Sequence, residues 1–305
     1  MSILVVGSVA LDSVETPFGK IDDAIGGSGT FFSASASHLS KVNLVGVVGR
    51  DYPLHKLEPL RARGVDLSGL VQADGESFRW RGRYRHDLNS AETIETRLGV
   101  FSQFRPRIPE QFRESPYVFL GNIDPRLQLD VLDQVNRPRL VACDTMNFWI
   151  ESRRNELVAL LERVDILLLN DAEARQLTGE YNLVRAARWI LGRGPKHVII
   201  KKGEHGAYMF SPHSVFFAPA YPLEEVFDPT GAGDSFAGGF VGYLARTGRT
   251  DEAAMRRAVV YGSTMGSFAV ERFSIDRLME IHRVDIARRL EEFRRLVAFE
   301  EELEA

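Results

Sequence analysis

A chain of 305 residues with 44% hydrophobic and 26% charged residues has the composition of a folded globular protein, which excludes intrinsic disorder and fibrous architecture. Its 38 Lys plus Arg against 42 Asp plus Glu give a formal net charge of −4, which argues against a broadly basic nucleic-acid binder. The single cysteine, Cys143, excludes an intrachain disulfide framework and a cysteine-rich zinc site. No apolar run approaches membrane-spanning length, and Met1–Gly7 lacks the basic region and apolar length of a signal peptide. A cytoplasmic protein with a small-molecule substrate and no nucleic-acid or membrane partner is expected.

In chain order, short β-branched runs alternate with amphipathic stretches. Ile3–Val6, Asn43–Val48, Tyr117–Leu120, Leu140–Cys143, Ile166–Leu169 and Val198–Lys201 read as strands, several of them apolar without alternation, as a parallel strand covered on both faces requires. Between them, Phe31–Ser40, Leu54–Arg63, Leu127–Asn136, Arg153–Arg163 and Leu183–Gly192 read as helices. Gly233–Thr247, Asp251–Val270 and a charged segment near Asp285–Glu304 close the chain as three more. This alternation predicts βαβ units in a doubly wound, mostly parallel α/β sheet flanked by helices, within a single domain over 1–305.

The stretch Phe78–Asp87 departs from that pattern. Phe78, Trp80, Gly82 and Tyr84 fall on one face at period two, and Arg79, Arg81, Arg83 and Arg85 on the other. With a further β segment in Leu11–Ala24, it predicts a small β flap, or lid, inserted roughly at 11–25 and 72–104. Its aromatic face either packs on its own neighbours or a second subunit, or covers a substrate; an exposed flap edge invites a homodimer through the lid. The arginine stripe reads most simply as a solvated strand face.

The most informative segment is Asp228-Pro-Thr-Gly-Ala-Gly-Asp-Ser-Phe-Ala-Gly-Gly-Phe240. Gly231, Ala232 and Gly233 precede a helical segment, and N–H groups at a helix start with no bulky side chains make a site for phosphate. Asp234, in the first turn, is placed to accept a proton from a hydroxyl attacking a bound phosphoryl group. On these residues alone, capping of the helix by Asp234 stays open as the alternative.

The segment resembles the C-terminal signature of the ribokinase, or PfkB carbohydrate kinase, family. Gly7-Ser-Val-Ala-Leu-Asp12 resembles the family's opening strand, and Gly26-Gly27-Ser-Gly-Thr-Phe-Phe-Ser-Ala its di-glycine switch. Asn170-Asp-Ala-Glu173 is similar to its Asn-x-x-Glu motif, and Lys202-Gly203-Glu-His-Gly206 to the Gly-x-x-Gly turn bordering the nucleotide. The resemblance implies a ribokinase-like fold and ATP-dependent phosphoryl transfer to a hydroxyl of a small polyhydroxylated acceptor. Asp234 is then the catalytic base, and Gly231, Ala232 and Gly233 are the anion hole. Asn170 and Glu173 organise Mg²⁺ through water, while Lys201, Gly203, Gly206 and Thr230 border ATP. Asp12, Gly26, Gly27, Phe31 and Asn122 face the acceptor, and Asp228 is the residue for a monovalent cation such as K⁺.

Departures from the family pattern bear on the acceptor. Phe31 stands where sugar kinases of the family commonly carry an asparagine, and an aromatic ring suits a flat group such as a nucleobase, so the expectation leans to a nucleoside. A sugar or sugar-phosphate kinase, the latter with flap arginines clamping phosphate, is the alternative within the family. A non-catalytic ligand sensor is the alternative from another class. Lys201 replaces a frequent threonine, and Val270-Glu-Arg-Phe-Ser274 replaces the family's glycine loop. No Walker-type phosphate loop and no dinucleotide-binding glycine pattern occurs.

Overall fold

Strand β1 (Ser2–Val6) carries no charged residue because both of its faces are covered. Ile3 and Val5 enter one hydrophobic core, and Leu4 and Val6 the other. The structure, a computed structural model, describes residues 1–298. The remaining strands are β2 (Ala10–Thr16), β3 (Gly19–Gly26), β4 (Lys41–Val48), β5 (Val65–Gln72), β6 (Phe78–Tyr84), β7 (Ala91–Arg97), β8 (Tyr117–Leu120), β9 (Leu140–Asp144), β10 (Ile166–Asn170), β11 (His197–Lys201), β12 (Ala207–Phe210) and β13 (Val215–Ala218).

Among the described residues a nine-stranded sheet runs β13-β12-β11-β10-β9-β8-β1-β4-β5. It is parallel from β11 to β5, with β12 and β13 added antiparallel at one edge. One core holds the helices Ser28–Ala36, Ala232–Thr247 and Glu252–Ala269, and the other Pro125–Leu132, Arg154–Leu161, Asp171–Thr178 and Leu183–Leu191. Strand order reverses at β1, between β8 and β4, and in such sheets ligands bind beyond the carboxyl ends of the strands at the reversal.

The six strands expected from sequence are present. Three others were not expected. In β5, buried Val65, Leu67 and Gly69 alternate with exposed Asp66 and Ser68, a half-covered edge strand rather than a core run. β12 and β13 form a short antiparallel hairpin. The expected helix Leu54–Arg63 divides into a 3₁₀ turn, Leu54–Leu57, and a helix, Glu58–Ala62, because Pro59 has no N–H to continue the first turn. The final helix spans Arg283–Leu296, and the expected continuation past residue 298 lies outside the described residues.

The second sheet, β3-β2-β6-β7, is built from the two segments expected to form the lid. The segment expected as one strand, Leu11–Ala24, falls within a hairpin of two, whose register shifts near Ser13 as Asp23 takes a φ of 50°. Parallel pairing of β2 with β6 sets Asp12 opposite Trp80 and Glu15 opposite Arg83. Asp12 and the aromatic residues therefore share one face, and the arginines the other.

Candidate active site

The sequence motifs converge on the carboxyl ends of β1, β9, β10 and β11. Opposite them begins the helix Ala232–Thr247. Its N-cap is Gly231, with φ 73° and no side chain to cap with, so Asp234 is not the capping residue. A Cβ at Gly231 would overlap the ring of Phe31, so glycine is required here for both shape and backbone sign. Among the described residues, the N–H groups of Gly231 and Gly233 have no backbone acceptor. An uncapped helix start with open N–H groups attracts an anion.

Three carboxylates gather at this turn. Asp12 is 7% exposed, accepts from Gly27 N at 3.3 Å, and is pushed up to about 7 by burial. The charges of Asp228 and Asp234 add to that rise, and the Gly27 N–H opposes it. The di-glycine pair makes room for this acid. A Cβ at Gly26 would overlap the Asp12 carboxylate, and Gly27, at φ 89°, turns the chain into the helix Ser28–Ala36. Asp234 also rises to about 7, through burial and the charge of Asp144, against the pull of Lys201. Asp228 is raised by burial; its two oxygens accept from Thr230 N (2.9 Å) and Ser274 N (3.3 Å).

On the other side of the turn, Asn170 and Glu173 form a reciprocal capping box. Glu173 N donates to Asn170 Oδ1 at 2.8 Å, and Asn170 N donates to Glu173 Oε2 at 2.7 Å. Burial pushes Glu173 up to about 7, with Asp144 adding and Lys201 opposing. The Lys201 ammonium bonds Asp144 Oδ2 at 2.8 Å. Gly203 and Gly206 flank the turn Gly203–His205, and Asn89, beyond β6, donates to Glu204 of that turn at 3.2 Å.

The lid residues divide in role. Phe78 stacks on Phe101, and Trp80 lies over Gly82 with its Nε1 donating to Thr93 at 3.3 Å. Of the three aromatic residues on this face, Tyr84 reaches the signature turn, its hydroxyl 3.4 Å from Thr230 Oγ1. Each arginine of the opposite face meets an acid: Arg79 meets Asp23 and Asp51, Arg81 Asp22, Arg83 Glu15 and Arg85 Glu92. The stripe is a charge-paired outer face turned away from Asp12, so it is not placed to clamp a substrate phosphate.

Two expected acceptor contacts sit differently from the sequence reading. Phe31 is 1% exposed and lies beneath Gly231, so it shapes the floor of the turn and offers no open stacking face. Asn122 accepts from Trp149 Nε1 at 2.9 Å. Sequence reasoning missed Thr30 and Tyr52. Their hydroxyls are buried and face each other, and Tyr52 is raised by burial and by the charge of Asp12, with the Thr30 hydroxyl opposing. Two buried hydroxyls beside a buried acid, each with hydrogen-bonding capacity to spare, suit a polyhydroxylated ligand. Thr30, within the di-glycine segment, carried the one available signal.

The donor set fits a nucleotide with Mg²⁺. Asp144, Glu173 and Asp234 face a single ammonium, Lys201, leaving a surplus of negative charge that a divalent cation offsets. Among the described residues no group of three or more His, Cys, Asp or Glu is placed to chelate a metal. Mg²⁺ held by one or two carboxylates, phosphates and water needs no such cage. No helix of the described residues is long and apolar enough to cross a membrane.

The chain resembles known proteins along most of its length. It is 31% identical over 262 residues to a cytidine kinase of Thermococcus kodakarensis, covering 84% of this chain and 92% of that protein. Its fold matches the nucleoside kinase of Methanocaldococcus jannaschii, described as an archaeal member of the ribokinase family, with a TM-score of 0.76 at 20% identity over 95% of this chain and 98% of that one. A putative ribokinase II from E. coli in complex with ATP and Mg²⁺ matches with a TM-score of 0.79 at 20% identity, covering 97% and 99%. The pfkB family carbohydrate kinase model matches residues 3–279, and the chain, with its ribokinase-like fold, belongs to the PfkB family of carbohydrate kinases.

Proposed function

We propose that the protein transfers the γ-phosphoryl group of ATP to a hydroxyl of a nucleoside, with Asp234 as the base. The observation that carries this reading is Asp234 buried in the first turn of an uncapped helix, beside the open N–H groups of Gly231 and Gly233. The acceptor hydroxyl oxygen bonds to phosphorus as the bond from phosphorus to the bridging oxygen breaks. The hydroxyl proton passes to Asp234, and the electron pair leaves with ADP. The open N–H groups of Gly231 and Gly233 hold the charge that collects on the phosphoryl oxygens, while that of Ala232, expected in the anion hole, already donates to Pro229 O at 3.1 Å. Asp12 accepts hydrogen bonds from acceptor hydroxyls, with Gly26, Gly27 and the Thr30 and Tyr52 hydroxyls beside it. Lys201, Gly203, Gly206 and Thr230 border the nucleotide. Asn170 and Glu173 would hold Mg²⁺, which would supply charge neutralisation at the phosphates.

The lean to a nucleoside rests on the cytidine kinase and nucleoside kinase relatives and on an aromatic lid, with Tyr84 in place of the expected Phe31 as its contact. Asp228 accepts from Thr230 N and Ser274 N, one bond to each oxygen, which leaves a lone pair on each for a monovalent cation. In the lid, β3 and β7 each leave one edge without a strand partner among the described residues, which supports pairing of two copies there. The test of the acceptor is a panel of nucleosides, free sugars and sugar phosphates with ATP and Mg²⁺, read by mass spectrometry. A phosphorylated nucleoside formed fastest supports the reading. Faster turnover of a sugar or sugar phosphate moves the function to that class, and no phosphorylated product from any of them refutes the kinase activity.

A further inference from the structure

Asp144 ends β9 and Lys201 ends β11, on either side of β10. Their side chains meet across that strand at 2.8 Å and are 6% and 16% exposed. Burying an ammonium and a carboxylate costs desolvation, and a well-packed apolar pair often serves stability as well. The placement of this pair therefore calls for another reason. A Cβ at Gly233 would stand 2.9 Å from Lys201 Nζ, so the ammonium lies against the turn whose Gly231 and Gly233 N–H groups are open. Among the described residues Asp144 is its hydrogen-bond acceptor, leaving two ammonium N–H groups for a ligand.

Asp144 is itself held on several sides. Its Oδ1 accepts from Thr145 N at 2.7 Å, and its carbonyl accepts from the buried Gln128 amide at 3.1 Å. The same amide donates to Gly121 O at 2.8 Å, tying the carboxyl ends of β8 and β9 together. A fixed carboxylate thus holds a lysine whose remaining donors border an anion site.

Building on the kinase reading, we propose that Lys201 contacts the phosphoryl group during its transfer and that Asp144 is the positioning residue that holds it there. Lys201 keeps its protons throughout; it offsets charge on the non-bridging oxygens while the acceptor proton goes to Asp234. Asp144 fixes the ammonium on the Gly233 side.

The test compares wild type with Lys201→Met, Lys201→Arg and Asp144→Asn. Each is followed by acceptor-saturated kinetics, by calorimetric binding of ATP and of AMP without acceptor, and by thermal unfolding. Removing one charge-stabilising donor is expected to lower kcat by about 100-fold in Lys201→Met with acceptor KM unchanged. ATP binding weakens in that variant while AMP binding, which lacks the terminal phosphates, stays as in wild type. Lys201→Arg restores part of the lost kcat, and Asp144→Asn lowers kcat with Lys201 intact. Wild-type kcat in Lys201→Met, or equal weakening of ATP and AMP, overturns the phosphoryl contact. Wild-type kcat and ATP affinity in Asp144→Asn overturn the positioning role, and decide the matter should Lys201→Met fail to fold. A wild-type protein that phosphorylates nothing, yet shows the ATP-against-AMP contrast on Lys201, sinks the kinase reading and leaves the phosphate contact standing.

Discussion

The Tyr84 hydroxyl, on the last residue of β6, lies 3.4 Å from Thr230 Oγ1 in the signature turn, joining residues 146 positions apart. This contact ties the second sheet to the proposed phosphoryl-transfer turn, and Asn89 adds a second tie, to Glu204. Tyr84→Phe removes one modest hydrogen bond, so acceptor KM should rise by no more than about tenfold. Tyr84→Ala also removes the ring that excludes water, and should raise ADP release in the absence of acceptor above the wild-type level. Identical acceptor-free ADP release in wild type and Tyr84→Ala would show that the tyrosine does not seal the site.

The two glycines of the turn should respond differently to the same change. At Gly231 a Cβ meets the Phe31 ring, and φ is 73°, so Gly231→Ala should lose about 2–4 kcal/mol of stability along with activity. At Gly233 the backbone does not require glycine, and the added Cβ meets only the end of the Lys201 side chain, at 2.9 Å, shifting the ammonium that Asp144 holds. Gly233→Ala should therefore unfold near the wild-type temperature yet turn over much more slowly. Thermal unfolding and steady-state rates on both variants check the contrast, and equal stability loss in the two contradicts it.

Asp12 gives a pH-dependent signature of a site that sacrifices stability for ligand binding. Its carboxyl rises from 3.8 to about 7 in the folded state. Between those values the folded chain holds a proton that the unfolded chain has released. This group's contribution to stability is thus present below pH 3.8 and is lost as pH rises through about 7. Asp12→Asn keeps an acceptor for Gly27 N and cannot ionise. Without ligand, its unfolding temperature relative to wild type should climb from pH 4 upward and level off above about pH 7, reaching a gain of about 2 °C or more. Acceptor binding should be lost in the same variant. A difference in unfolding temperature that is flat with pH would show that Asp12 is not destabilised by its burial.

How much of this was legible in sequence depended on whether the relevant neighbours lie close along the chain. The core strands could be read because double coverage leaves a run such as Leu140–Cys143 wholly apolar, and β6 because one-sided coverage alternates its aromatic and arginine residues. The turn at Gly231–Asp234 is contiguous, so it could be picked out as one segment, and the family resemblance supplied the roles expected of its residues. The Asp144–Lys201 pair joins residues 57 positions apart and exists because β9 and β11 flank β10. No local pattern encodes that adjacency. Phe31 shows the converse: the expectation of a stacking face came from the residue type, while its burial under Gly231 is set by a segment 200 residues away.

Asp234→Asn tests the central claim most directly, because it removes the base while leaving the shape of the turn unchanged. The measurement is kcat with ATP, Mg²⁺ and the best nucleoside, paired with the calorimetric affinity for ATP in the same variant. Loss of a general base predicts a fall in kcat of about 10²- to 10⁴-fold with ATP affinity close to wild type. Wild-type kcat in Asp234→Asn would contradict the account.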